Sequence, residues 1–203
     1  MCTTGALPRI SKFCLPAIAS LALVASLMVA PAHLQAAKSV TIGGPWTLIA
    51  NDGTTVTDRT YLGKWLLVFF GYTSCPNTCP ATLHEVSIAL EKLGPEAAQV
   101  QPLFITVDPE HDTAGVVNEY VSSFDPRIVG LTGDTKQIAA AAKEYGVYYV
   151  VRTAGTANEP RIIDHSSYIY SMDPRGTFVR GFDANTSGEH IANTLRELMM
   201  QAR

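Results

Sequence analysis

A continuously apolar run, Trp65–Phe70, leads into a short segment that carries two cysteines, Cys75 and Cys79. Such a run is typical of a strand that is buried on both faces at the centre of a sheet. The following segment, Pro80–Leu93, is predicted to be a helix. Its apolar side chains share one stripe: Leu83, Val86, Leu90 and Leu93. A strand, a short turn and a helix in this order predict an α/β fold, in which ligands generally bind where a strand gives way to a helix.

Predicted strands and helices alternate along the rest of the chain. Two segments around an Asn-Asp-Gly turn predict an N-terminal β-hairpin, namely Trp46–Ile49 and Thr54–Thr57. Further strands are predicted at Gln101–Val107, Ile128–Leu131, Val147–Val151, Ser167–Met172 and Thr177–Phe182. Helices are predicted at Thr113–Ser123, Thr135–Tyr145 and Ser187–Ala202. The expected architecture is a central mixed β-sheet flanked by helices on both sides.

The first 37 residues have the pattern of an export segment. Arg9 and Lys12 precede the uncharged apolar run Leu15–Ala30, and small residues follow it. The run is shorter than the roughly 20 residues of a full membrane span, so residues 1–37 are expected to be a cleaved signal or an uncleaved membrane anchor. Because a basic flank stays in the cytoplasm, residues 38–203 are expected to form a body on the periplasmic side of the inner membrane.

The charge and the length limit the class of protein. The chain has 203 residues and a formal net charge of −3. A protein that binds nucleic acid needs a basic face for phosphate contacts, and no block of like charges stands out in this chain. We therefore expect one folded domain with a sizeable core that does not bind nucleic acid.

Cys75 and Cys79 are the two of four cysteines that lie outside the export segment. A disulfide between them would close a very short loop and stabilise the fold little. Each precedes a proline, Pro76 or Pro80, which disfavours helical backbone, so Cys79 is predicted to be the N-cap of the following helix. A helix N-terminus favours the thiolate form. The pair is predicted either to hold a metal or to interconvert between two thiols and a disulfide. The alternatives are a plain loop disulfide or two inert thiols.

Two thiolates select copper(I) or zinc, and further ligands must come from elsewhere in the chain. Zinc sites use three or four protein ligands. The body of the chain offers four histidines: His84, His111, His165 and His190. His84 and His190 are expected on solvated helix faces and His111 in a solvated loop. His165 follows the polar segment Arg152–Ile163, which is predicted to be a loop, and stands where that loop meets a strand. Spacing alone leaves the third ligand open.

Three motifs, in the right order, resemble those of the Sco/SenC family. The cysteine motif is Val68–Leu83, the second is Phe104–Thr113, and the third joins Asp164–Ser167 to Tyr170–Gly176. The resemblance covers about residues 43–200. It implies a thioredoxin-like fold and a membrane-facing copper chaperone that helps to assemble the dinuclear copper centre of cytochrome c oxidase. The implied partner is subunit II of that oxidase, or another protein that donates or accepts copper.

By position, the resemblance implies Cys75, Cys79 and His165 as ligands of copper(I) or copper(II). Asp108 matches an acidic position near the family's site, where it would support a ligand, face a partner or only cap the strand end. Asp164 is expected to orient His165 by accepting a hydrogen bond, or else to be an exposed loop acid.

The chain departs from the family pattern at two positions. Asn77 stands where the family usually carries an aspartate, and Ser74 stands where a histidine is common. Losing an acid beside the site removes a negative charge from it. We expect a modest change in metal affinity or partner choice, with function retained.

The same two cysteines also suit a thiol–disulfide oxidoreductase that reduces the cysteines of a target copper site. A peroxidase-like thiol enzyme is a more distant alternative. Thioredoxin-type enzymes use Cys-x-x-Cys, and the extra residue between Cys75 and Cys79 favours a metal. Reduction does not need His165, whereas a copper site with three ligands does.

Overall fold

The computed structural model describes residues 41–50, 52–153, 155 and 161–202. They all lie within one contact unit, Ser39–Arg203. The predicted export segment, residues 1–37, lies outside the described residues. Within the described ranges, no helix has the length and apolar character needed to cross a bilayer.

Nine strands in the described residues form two sheets. The strands are β1 Thr47–Ala50, β2 Thr55–Thr57, β3 Trp65–Gly71, β4 Val100–Thr106, β5 Val129–Thr132, β6 Tyr149–Thr153, β7 Ile162–His165, β8 Tyr168–Met172 and β9 Phe178–Asp183. The main sheet has the order β2-β1-β5-β4-β3-β8-β9, and β6 and β7 pair separately. Strands β3, β4 and β5 are parallel, while β1, β2, β8 and β9 add to the sheet antiparallel. The predicted mixed sheet with an N-terminal hairpin is confirmed.

Strand β3 is the centre of the main sheet. All seven of its residues are buried, because it lies between β4 and β8 and is covered on both faces. Gly71 pairs with Thr106 in the parallel register, so β3 and β4 end side by side. The predicted central strand is confirmed, and its carboxyl end gives a rigid base for the segment that follows.

Four α-helices flank the sheet in the described residues. They are α1 Thr78–Leu93, α2 Ala114–Ser122, α3 Thr135–Glu144 and α4 Gly188–Gln201, and a 3-10 helix, Gly94–Gln99, follows α1. Thr113, Asp134 and Ser187 cap α2, α3 and α4, since each side chain accepts a hydrogen bond from a backbone N–H in the first turn. Helices α1 and α4 pack against each other.

The start of α1 differs from the prediction. Asn77 is the N-cap, without a side-chain capping bond, and Cys79 lies inside the first turn of the helix. The expectation that Cys79 would be the N-cap is therefore wrong. Pro80 is tolerated in this turn because the first N–H groups of a helix have no intrahelical partner that a proline would remove.

The predicted loop Arg152–Ile163 is wrong at both ends. Strand β6 extends to Thr153, and β7 begins at Ile162 and pairs with it antiparallel. His165 is therefore the last residue of a strand, opposite Tyr149 on β6. Cross-strand pairing between these two short segments stabilises them as strands, and a local pattern does not reveal it. Residues 154 and 156–160 lie outside the described residues.

Candidate metal centre

The candidate site lies where β3 and β4 end. The N–H of Val107 donates to the carbonyl of Gly71 at 2.8 Å, so the parallel pairing continues to the end of the strand. The chain then turns, and the N–H of Cys75 donates to the carbonyl of Tyr72 at 3.3 Å. This short turn carries Cys75 from the buried sheet to the start of α1.

Asp112, which sequence analysis did not single out, fixes this turn. It is only 2% exposed. Its carboxylate accepts hydrogen bonds from the Thr73 N–H at 3.0 Å, the Thr73 hydroxyl at 2.5 Å and the Thr106 hydroxyl at 2.5 Å. The Thr132 hydroxyl donates to the Asp112 carbonyl at 2.8 Å. One buried carboxylate therefore links the turn before Cys75 to the end of β4.

Cys75 and Cys79 are both free thiols at the amino end of α1. Cys79 is fully buried, whereas Cys75 is half-buried and lines a cleft of about 250 Å³. The N–H of Cys79 donates to Cys75 Sγ at 3.5 Å. An N–H group of the first helical turn therefore points at the Cys75 sulfur and favours negative charge on it.

The pKa values of the two thiols shift in opposite directions. The pKa of Cys75 is lowered to about 3, chiefly because the Cys79 thiol donates to its sulfur, and donation from His165 and backbone N–H groups adds to this against the effect of burial. The pKa of Cys79 is raised, first by that same hydrogen bond and then by burial and the nearby Cys75 charge. The pair gives up one proton readily and the second reluctantly. A metal that binds both thiolates must therefore displace the Cys79 proton.

His165 brings a ring nitrogen to the cysteine pair. Its Nε2 lies 3.7 Å from Cys79 Sγ, and its Nδ1 lies 3.1 Å from the carbonyl oxygen of Ser166. The imidazole is edge-on to Phe69 and Tyr72, with ring centroids 6.2 and 5.8 Å apart. The two roles of Nε2 belong to different tautomers. With the ring proton on Nε2, it donates to sulfur; with the ring proton on Nδ1 and donated to the Ser166 carbonyl, Nε2 has a free lone pair for a metal.

The ligand atoms of Cys75, Cys79 and His165 all lie within 4.8 Å of one another. Across the part of the chain that the structure describes, this is the one group of three or more such side chains close enough to share a metal ion. Two sulfurs and an imidazole form a donor set that suits copper or zinc. His84 and His190 are exposed on helices outside this group.

Asp108 is buried beside this group and does not belong to it. Its Oδ2 lies 2.7 Å from Arg161 Nε, and its Oδ1 lies 3.1 Å from Nδ1 of His111, a residue of the loop after β4. Its N–H donates to the Thr106 hydroxyl at 2.9 Å. Asp108 is only 2% exposed and contacts His111 and Arg161 of its own domain. Its predicted role, to support a ligand or to face a partner, stays a prediction.

Asp164 does not orient His165. Its carboxylate lies 2.5 Å from Arg152 Nε in an exposed ion pair, while the Ser166 carbonyl takes the contact with the His165 ring. Successive side chains of a strand point to opposite faces, so the Asp164 carboxylate points away from its neighbour's imidazole. The structure therefore shows Asp164 as an exposed acid, which is the second of its two predicted roles.

A sequence profile of the family described as SCO1/SenC matches residues 34–200. This chain belongs to the SCO1/SenC family. Protein SenC of Rhodobacter capsulatus is 40% identical over 157 residues, which is 77% of this chain and 70% of SenC. Protein SCO1 homolog 1, mitochondrial, of Arabidopsis thaliana is 36% identical over 168 residues, which is 82% of this chain and 50% of that relative. The chain thus matches about half the length of the Arabidopsis relative.

Solved structures of SCO1/SenC proteins share the fold. Arabidopsis thaliana ScoI with copper bound has a TM-score of 0.72 at 37% identity, over 79% of this chain and 99% of that one. Bradyrhizobium japonicum ScoI with copper bound has a TM-score of 0.70 at 42% identity, over 77% and 98%. The predicted family and its thioredoxin-like fold are confirmed.

Proposed function

We propose that this protein is a copper chaperone that binds copper through Cys75, Cys79 and His165 and delivers it to the dinuclear copper site of cytochrome c oxidase. The observation that carries the proposal is the group of two sulfurs and one imidazole nitrogen within 4.8 Å. Solved relatives at 37% and 42% identity have copper bound, which supports copper as the cargo. Subunit II of the oxidase, or another copper donor or acceptor, is the proposed partner.

The donor set favours copper over structural zinc. Closed zinc sites use four protein ligands in a tetrahedron, and the described group offers three. Soft thiolates select copper(I), and imidazole also suits copper(II). Cys75 is poised as a thiolate because its pKa is low, so binding of the cation needs only the further loss of the Cys79 proton.

The exposure of the three groups suits a carrier that must release its metal. Cys79 is fully buried, whereas Cys75 and His165 are partly exposed at the cleft. An acceptor's ligands can therefore approach from the cleft while Cys79 still holds the ion. Stepwise ligand exchange through this opening would transfer copper without releasing it to solvent.

The export segment supports a periplasmic location for this chemistry. Arg9, Lys12 and the apolar run Leu15–Ala30 would direct the body across the inner membrane. The protein would then act in the periplasm, either anchored by residues 1–37 or free after cleavage.

A thiol–disulfide oxidoreductase is the second candidate. The partly exposed, low-pKa Cys75 could attack a target disulfide, and the buried Cys79 next to it could resolve the mixed disulfide. Such a protein would reduce the cysteines of the target copper site. His165 has no required part in this reaction.

Copper titration of the reduced full chain separates the two candidates. Wild type should bind one copper ion, and His165→Ala should lose tight copper(II) binding, because a nitrogen ligand is removed while both sulfurs remain. His84→Ala is the matched control, since this exposed histidine lies on α1 outside the ligand group. Absence of copper binding by wild type, with intact reduction of a target disulfide, would reject the chaperone in favour of the reductase.

A further inference from the structure

The hairpin of β6 and β7 carries His165, and in its described residues these two strands pair with each other and not with a strand of the main sheet. Within the hairpin, His165 pairs with Tyr149, and Ile163 pairs with Val151. Cys75 and Cys79, in contrast, follow directly from the central strand β3. The distance between His165 and the cysteines therefore depends on the short link Ser166–Ser167 to β8 and on the contacts that attach the rest of the hairpin to the domain.

Two polar contacts attach the β7 side of the hairpin to the end of the main sheet. The N–H of Ile163 donates to the hydroxyl of Tyr72 at 3.3 Å. Arg161, immediately before β7, places its Nε 2.7 Å from Asp108 Oδ2. Asp108 is fixed in turn by its N–H, which donates to the Thr106 hydroxyl at 2.9 Å. The second contact thus joins the chain four residues before His165 to the carboxyl end of β4.

Burial makes the ion pair of Arg161 and Asp108 costly to break by removing one partner. The two side chains are only 14% and 1% exposed, and removing one partner from a buried pair leaves an uncompensated charge. The hairpin also carries an exposed pair, Arg152 with Asp164, whose side chains are 59% and 50% exposed. Exposed pairs contribute little to stability, so the second pair provides a matched comparison on the same hairpin.

We propose that Arg161 is a positioning residue for the third copper ligand: its buried ion pair with Asp108 holds the hairpin against the end of β4 and keeps His165 beside the two cysteines. This proposal rests on the proposed function, because it takes copper to be the cargo. Arg161 lies outside the group of ligand atoms, so it acts through His165. The same ion pair gives Asp108 a role as an anchor for the hairpin.

The first test uses the reduced, copper-free full chain. In Arg161→Gln, the ring protons of His165 should lose the shifts imposed by Phe69 and Tyr72, and the Ile163 amide should exchange faster. If the unpaired Asp108 prevents folding of the single variant, the double variant Asp108→Asn/Arg161→Gln replaces it in the same measurements, because it removes both charges. Arg152→Gln, the control, should leave both signals unchanged.

The second test measures copper(II) affinity by competition with a chelator, in the wild-type and His165→Ala backgrounds. The changes at Arg161 should weaken binding about 10- to 100-fold, as is typical when a residue that orients a ligand is removed. They should have no effect when His165 is already absent, because Arg161 would then have no ligand to position.

Two results would overturn the proposal. One is an unchanged His165 ring signal and an unchanged Ile163 amide in both Arg161 variants. The other is an equal loss of copper affinity with and without His165, which would indicate a general structural role. If wild type binds no copper, the proposed function fails, and the measurements on the copper-free chain still decide whether Arg161 positions His165.

Discussion

Gly71, the last residue of β3, leaves the space that the sulfur of Cys79 occupies. A Cβ added at this glycine would lie 2.7 Å from Cys79 Sγ, 2.8 Å from Phe104 Cε2 and 3.2 Å from Phe69 Cε1. Ordinary contacts between such atoms are about 3.5–4.0 Å. In Gly71→Ala, the sulfur or the strand end must therefore move by about 1 Å.

This displacement should affect stability and metal binding together. Overpacking a buried site lowers the free energy of unfolding by about 1–3 kcal/mol, and in a domain of this size each kcal/mol lowers Tm by about 2–4 °C. Metal sites hold their ligand distances within about 0.2 Å. A shift of about 1 Å in Cys79 exceeds that tolerance, so we expect weaker copper binding and a changed sulfur-to-copper charge-transfer spectrum.

The assay compares two glycines at which an added Cβ would meet a neighbouring side chain at less than 3.0 Å. A Cβ on Gly130, in β5, would lie 2.3 Å from Val117 Cγ1, away from the ligand group. Urea denaturation should show both Gly71→Ala and Gly130→Ala to be destabilised, and only Gly71→Ala should change the copper spectrum and affinity. A Gly71→Ala protein as stable as wild type, or copper changes of equal size in both variants, would refute the reasoning.

Two further outcomes follow from the hydrogen bonds around the thiols. Cys79→Ala should raise the pKa of Cys75 toward the value of about 8.5 of a free thiol, because the thiol that donates to its sulfur is lost. The thiolate then disappears as the pH falls below that value, so alkylation of Cys75 by iodoacetamide at about pH 6 should slow sharply. Cys79→Ser keeps a donor and should slow it less, and equal rates in both variants would contradict this cause. Asp112→Asn should lower the free energy of unfolding by about 1–3 kcal/mol, since an amide offers one acceptor oxygen where the carboxylate accepts three hydrogen bonds; an unchanged urea midpoint would count against that role.

Much of the fold could be predicted because the strongest patterns are local. The apolar run of β3 and the single stripe of α1 each reflect burial that every residue of the segment shares. Thr113 is a cap whose effect lies within one turn of helix. The N-cap of α1 was mispredicted because a proline in the first turn is compatible with two starting points, Asn77 and Cys79.

The positions of the site residues depend on long-range pairing, which limits how far they can be predicted from local sequence patterns. Strand β7 could not be predicted because β6 stabilises it across the hairpin, and the position of His165 needs that pairing to be known. The family resemblance supplied His165 as a candidate where spacing had left it open. The one sequence hint at Asp112 is that an acid follows shortly after a buried strand. Its threonine partners are 39 and 6 positions away, so the sequence does not identify them. Asp108 and Arg161 are likewise joined only by the tertiary fold.

The division of the three proposed ligands between two parts of the fold bears on how the proposed carrier would both hold and release copper. Cys75 and Cys79 sit on a rigid turn that Asp112 ties to the main sheet. His165 sits on a separate hairpin whose attachment includes the buried ion pair of Arg161 and Asp108. Moving the hairpin would remove one ligand and leave the two sulfurs in place. Because affinity then depends on the hairpin's position, a partner protein that displaces it could lower copper affinity at the moment of transfer without unfolding the cysteine site.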